Sequence, residues 1–257
     1  VSIDAALFYA FLLVFVRCSA MLFASPIFGA QNVPVQIRIY ITLAISAALT
    51  FIIKPDSGGV PQDLYTLTLA IGHELVAGIL IGTFLSLVLQ AAQMAGAFID
   101  VEMGLSSSQI LNPIDGVQVS IIAQFKYMLA LIIFLQIDAH HVMLQALVHS
   151  YHAMPAPTMA QIPAIQTNLV TLLTQLSLLA IQIAAPVAAV SMVVDAALGV
   201  IGKAVPQMQV FMVGMPAKIA MGMIALTVAL PALVSGVQYG VNLGTNSLAQ
   251  VFQAHAR

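Results

Sequence analysis

The sequence predicts an all-α membrane protein, and three observations carry that prediction. Of its 257 residues, 61% are hydrophobic and only 6% are charged, against about 25% charged in a typical soluble domain. Apolar runs of about 20 residues or more recur along the chain, each long enough to cross a hydrocarbon core as a helix. Pro186, Pro216 and Pro231 fall inside the later runs, where a proline kinks or interrupts a helix. So few charges cannot clothe a soluble surface. A net charge of −2 gives no argument for a nucleic-acid partner. A single cysteine, Cys18, excludes an internal disulfide framework and a cysteine-only zinc site.

The first run, residues 5–24, ends in small residues as a signal peptide does. Asp4 stands where a positive n-region would, and Arg17 lies inside the run, so a retained first helix is expected. Asn32-Val33-Pro34 breaks the chain before a second run, Val35 to Ile53. Lys54-Pro55-Asp56-Ser57-Gly58-Gly59 then reads as a loop. The third run, Leu64 to Ala95, contains Gly78 and Gly82 in a G-x-x-x-G pair, which permits close helix approach but also arises from two unrelated small residues. Further runs cover Val119 to Ile137, Val142 to His152, Thr167 to Val200 and Met208 to Leu233, and the polar tail from Gln238 is expected to be loosely ordered.

Between the third and fourth runs lies a different stretch, Gly96 to Val119. It holds Asp100, Glu102 and Asp115, three of the nine acids, with three glycines, Ser106-Ser107-Ser108, Asn112 and Pro113. These residue types compete with a continuous helix. Irregular backbone at membrane depth persists only where protein or water satisfies its polar groups. The stretch is therefore expected either to line or block a path, or to be a solvated loop between two spans. In the first reading, Met103, Leu105, Ile110 and Leu111 supply a yielding apolar seal, and Gly104, Ser106 to Ser108 and Gly116 supply mobility, although methionine in so apolar a chain more often serves packing than a gasket.

Other constellations are weak. His73-Glu74 opens like H-E-x-x-H, but Ala77 stands where the second histidine belongs. Asp138, His140, His141, His149 and His152 cluster in sequence, yet adjacent His140 and His141 are expected to point apart on a helix, so no metal site is assigned. No nucleophile elbow or phosphate loop is present, and no catalysis or cofactor is expected. The charges within or beside apolar runs are more informative: Arg17, Arg38, Glu74, Asp100, Glu102, Lys126, Asp195, Lys203 and Lys218. Each costs about 2.5–3.5 kcal/mol at a bilayer centre, so each should pair, face water or lie outside lipid. That leaves an ion-coupled secondary transporter or a subunit of a multi-protein channel. A transporter usually shows matched halves with broken helices. The stretch at 96–119 has no counterpart near 200–225, which favours the subunit.

Several residues together resemble the FliR/SctT-type family of type III export-gate subunits, over nearly the full length. They are Ser25-Pro26-Ile27-Phe28 with Val33-Pro34 and Arg38; Gly96-Ala97-Phe98-Ile99-Asp100 and Met103-Gly104-Leu105-Ser106 with Asn112-Pro113; Asp138-Ala139-His140; and Ala197-Leu198-Gly199 through Lys203, Pro206-Gln207, Phe211, Gly214, Pro216 and Lys218. Asn112 stands where members often have Asp, and Ala139 where Gly is common.

The resemblance implies long kinked helical hairpins within a hetero-oligomeric helical gate built with FliP and FliQ, near FlhA and FlhB. That gate passes unfolded flagellar subunits across the bacterial inner membrane, and its core lies partly on the periplasmic side. It implies that 167–235 is similar to the FliQ hairpin and that about 104–118 corresponds to the segment that plugs the pore. The interface candidates are then Arg17, Arg38, Glu74, Asp100, Glu102, Lys126, Asp195, Lys203, Pro206, Gln207 and Lys218. An injectisome gate subunit is the alternative within the family.

Overall fold

The structure is a computed structural model that describes residues 5–29, 33–53, 61, 63–105, 120–153, 162–205 and 210–253. Among the described residues the regular structure is entirely helical. The helices are α1 (Ala5–Ala24), α2 (Val35–Ile53), α3 (Leu64–Glu102), α4 (Ile121–Gln136), α5 (Ala139–Ala153), α6 (Ile162–Ala204), α7 (Val210–Val228) and α8 (Leu230–Gln253). Four segments are long and apolar enough to cross a membrane: α1, α2, α3 and Ile165–Ala204 of α6. The α4–α5 and α7–α8 pairs raise the total to six if each bent pair forms one span. With 39 residues in α3 and 43 in α6, these helices run to about 58 and 65 Å at 1.5 Å per residue. Both exceed a hydrocarbon core of about 30 Å.

Local chemistry fixes the boundaries. Ser120 caps α4, its Oγ accepting from the Ala123 N–H at 3.1 Å, as an N-cap serine does. Between α4 and α5 the chain turns by 66° at Asp138, whose φ of 55° suits the short polar side chain of Asp. α7 and α8 meet at a 53° bend at Ala229. Pro231 follows in the first turn of α8, where its missing N–H costs no hydrogen bond. Pro186 and Pro216 instead lie inside α6 and α7.

Two expectations are corrected here. The irregular stretch does not begin at Gly96, because α3 continues to Glu102. Gly96 serves packing: a Cβ on it would lie 2.4 Å from the Ala123 Cα, so its lack of a side chain lets α4 approach. Nor is the chain from Gln238 a loose tail, since α8 is helical to Gln253. Val237, Gly240, Val241, Gly244, Leu248 and Val251 on that helix are buried while Gln238, Asn242, Asn246 and Gln250 are exposed, so its polar residues form one face of an amphipathic helix.

The chain folds as two compact units, one of 1–88, 135–173 and 241–257 and the other of 89–134 and 174–240. In the first, Tyr9, Leu13 and Ala70 form a buried cluster with Leu67 and Ile71 against it. The G-x-x-x-G pair of α3 lies against α1: a Cβ on Gly78 would sit 2.3 Å from the Arg17 carbonyl oxygen, and one on Gly82 would sit 2.6 Å from the Ala24 Cβ. Along α2, Thr42, Ser46 and Thr50 are buried, and each hydroxyl donates to the carbonyl four residues earlier, at 2.6–2.7 Å. Back-bonding of this kind satisfies a hydroxyl without another helix. In the second unit, Met103 packs where Gly222 leaves room, its Cγ lying 2.7 Å from where a Cβ would be.

Candidate functional site

Two places in the structure gather the chemistry. The first, in the first unit, is built around Arg17 of α1, which is buried among apolar residues. A guanidinium there needs full hydrogen bonding to be tolerated. Its Nε donates to Glu74 Oε2 at 2.6 Å and a terminal nitrogen donates to Glu74 Oε1 at 3.0 Å, a bidentate pair that fits the planar fork of arginine. The other terminal nitrogen donates to Ser150 Oγ at 2.9 Å. The Tyr151 ring lies 3.9 Å beneath the guanidinium carbon, and its hydroxyl reaches Glu74 Oε2 at 3.5 Å. The side chains of Arg17 and Glu74 are only 3% and 0% exposed, so solvent screens the pair little. The network ties α1, α3 and α5 together. It also shows what His73-Glu74 is: Glu74 is the partner of Arg17.

The second place, in the second unit, is the end of α3. Gly104 adopts a φ of 77°, a conformation open to glycine at little cost. Its N–H donates to Val101 O at 3.0 Å, and the Leu105 N–H donates to Asp100 O at 3.1 Å. These two bonds are the Schellman pair that ends a helix on a left-handed glycine. Met103 is fully buried. A cavity of about 530 Å³ opens beside this terminus, lined by Met103, Gly104, Asp195, Leu198, Met215 and Lys218 among others. At its edge Lys218 Nζ donates to Asp195 Oδ2 at 2.6 Å and joins α6 to α7. The lysine is 17% exposed and the aspartate 51%.

The remaining candidates are spread out. Asp100 is buried and accepts from Ser120 Oγ. Glu102 is half-buried and Lys203 is exposed in the last turn of α6. Arg38 is buried with its guanidinium carbon 5.4 Å over the Phe23 ring. Lys126 is fully buried, and among the described residues its Nζ has no hydrogen-bond partner. Leu105 follows the helix end directly. Ser106, Ser107, Ser108, Ile110, Leu111, Asn112 and Pro113 lie outside the described residues, as do Pro206 and Gln207.

One geometric expectation fails. The His140 and His141 rings do not diverge: their centroids are 4.2 Å apart. Asp138 Oδ1 lies 3.2 Å from His141 Nδ1 and 4.0 Å from His140 Nε2. The three residues thus offer ligand atoms within 4.8 Å of one another. The positive φ at Asp138 turns its carboxylate back over the first turn of α5, where it meets both rings. That proximity belongs to the helix start.

An all-helical membrane protein emerges, with a sealed ion pair among α1, α3 and α5 and a glycine-stopped helix beside a cavity. The model for Bacterial export proteins, family 1, matches residues 8–243. The flagellar biosynthetic protein FliR of Bacillus subtilis (strain 168) is 35% identical over 232 residues, 88% of each chain. FliR of Caulobacter vibrioides is 31% identical over 225 residues, 88% of this chain and 90% of its own. The surface presentation of antigens protein SpaR of Shigella sonnei is 28% identical over 206 residues, 80% of this chain and 78% of its own. The chain belongs to the bacterial export proteins, family 1, and is a type III export-gate component with flagellar relatives.

Proposed function

We propose that the chain is a core subunit of the flagellar type III export gate, assembling with FliP and FliQ into the channel for unfolded flagellar subunits, near FlhA and FlhB, in the bacterial inner membrane. The observation that carries this reading is the family match over residues 8–243 together with flagellar relatives at 35% and 31% identity. Helices of about 58 and 65 Å support a core that extends beyond the hydrocarbon, and the resemblance to the family supports an extension partly on the periplasmic side. The protein contributes a conduit and no catalysis, and the driving energy comes from other components. The 167–235 segment acts as a FliQ-like hairpin, a role supported by the α6–α7 pair and its Asp195–Lys218 tie. Charges on partner subunits meet those this chain leaves at its surface, Lys203 among them.

Within the same reading, residues 104–118 close the resting channel. The support is local: Gly104 stops α3 at a fixed place beside a cavity, and Leu105, Ile110 and Leu111 follow within a few residues. Burial contributes about 1.5–3 kcal/mol per large apolar side chain, so losing several would tip a gate balanced within a few kcal/mol. Deleting 106–112 is expected to make cells that assemble the complex leaky to small dyes while export persists in part. An assembled complex that stays tight yet loses export would make the segment a substrate-handling loop. The similarity to SpaR favours an injectisome gate as the second reading. Affinity purification in mild detergent tests the main one. Stable co-isolation with FliP and FliQ is expected, whereas recovery with injectisome components alone, or as a solitary protein that transports a solute, would overturn it.

A further inference from the structure

Most of this chain's outer surface is apolar. Large hydrophobic side chains are exposed on α1 to α4, α6 and α7, from Leu7 to Val228, while the short α5 exposes His141, Gln145 and His149 instead. On α8 that pattern ends: among the described residues no large hydrophobic side chain is exposed beyond Tyr239. Asn242, Asn246 and Gln250 are exposed there instead. Spaced four apart, they lie on one face of the helix. No charged residue occurs between Leu230 and Gln253. The opposite face, with Val241, Gly244, Leu248, Val251 and Phe252, is buried. The strip is therefore an uncharged run of carboxamides in a fixed orientation.

We infer that Asn242, Asn246 and Gln250 form a contact strip for the main chain of an exported polypeptide. This rests on the export-gate reading. A carboxamide both donates and accepts, so it matches the peptide group, which every exported sequence presents. With no charge on the face, acidic and basic segments meet it alike. Residues four apart on a helix are about 6 Å apart along its axis, close to the roughly 6.6 Å two-residue repeat of an extended chain. Each exchange of a water hydrogen bond for a protein one is nearly balanced, at about 0.5–1.5 kcal/mol net. The strip holds a passing chain weakly and releases it. Lipid is a poor occupant, because carboxamides in hydrocarbon lack partners. The apolar faces of α1 to α4, α6 and α7 suit lipid and neighbouring helices better. Asn is also a weaker helix former than Ala or Leu, so its use at two exposed positions works against local stability.

The test uses the complete complex in cells, with photo-crosslinking residues placed singly at 242, 246 and 250, at the exposed 101 beside the cavity at the end of α3, and at 193 and 201 on the apolar face of α6. An exported protein fused to a domain that cannot unfold is stalled in the gate. The stalled chain should crosslink at 242, 246 and 250 several-fold more than at 193 or 201, and at many places along its own sequence. Export by an Asn242→Leu, Asn246→Leu, Gln250→Leu variant should fall roughly tenfold from three weakened contacts, at unchanged complex yield. Asn242→Gln with Asn246→Gln should keep near-normal export. If 242, 246 and 250 crosslink only to another subunit, or to nothing, while 101 captures the stalled chain, the strip is refuted and the gate reading stands. If no position captures it, the gate reading falls as well.

Discussion

The molecule holds two ion pairs of the same chemistry in opposite settings. Arg17 and Glu74 are sealed at 3% and 0% exposure, with Ser150 and Tyr151 completing the arginine's contacts. Asp195 and Lys218 meet at the same 2.6 Å, but the aspartate is half exposed. Distance alone does not rank them. A buried pair is costly to form and costlier to break on one side, since the survivor keeps its desolvation penalty. An exposed pair is screened by water and holds flexible side chains in place for little return. The first pair therefore fixes how α1, α3 and α5 fit, whereas the second trims the α6–α7 pair.

The largest expected effect follows directly. Glu74→Ala strands a buried guanidinium and should cost about 3–5 kcal/mol, seen as near-complete loss of folded protein from detergent extracts. Arg17→Leu combined with Glu74→Leu should recover a substantial part of the yield, because an apolar pair needs no hydrogen bonds. Wild-type yield from Glu74→Ala would erase the contrast between the two pairs. Next is Gly78→Ala, whose new methyl would meet the Arg17 carbonyl at 2.3 Å. Overpacking of this kind costs about 1–3 kcal/mol and should lower the melting temperature of the purified complex. Gly72→Ala is its control: nothing lies within 4 Å of the new Cβ, and helix propensity should stabilise by about 0.5–1 kcal/mol.

Asp195→Asn should cost at most about 1 kcal/mol, leaving complex yield nearly unchanged. A loss comparable to that of Glu74→Ala would mean that assembly buries the pair. Smallest in its effect on the chain's own stability is Lys203→Glu. It puts a negative charge at the C-terminal end of α6, worth about 0.3–1 kcal/mol in the helix dipole. Complex yield should fall further than the amount of the chain itself, because the reversed charge also faces the partner charge proposed for Lys203; wild-type complex yield would place Lys203 away from any subunit contact.

The helices were legible in the sequence because apolar runs survive any detail of packing. Long-range pairing was not: Arg17 and Glu74 are 57 positions apart, and Asp195 and Lys218 are 23 apart. Polarity showed that each charge needs a partner but not which one. The misplaced start of the irregular stretch has a specific cause. Gly96 and Gly104 look alike in sequence, yet one is a packing glycine inside a helix and the other a left-handed stop. The clue lay in the residues around them, since Gly96 sits among good helix formers and Gly104 precedes a serine run. The order of α8 was missed by weighing its polar residues as composition. Their spacing of four was already the sign of a helical face.

The central claim is that this chain is a working part of a flagellar export gate, and secretion tests it most directly. Cells lacking the chain would be compared with the same cells re-expressing it, by measuring hook and filament subunits in the medium. Those subunits are predicted to disappear from the medium in the first strain and return in the second, with their synthesis inside the cells unchanged. Undiminished secretion of flagellar subunits without the chain would contradict the account.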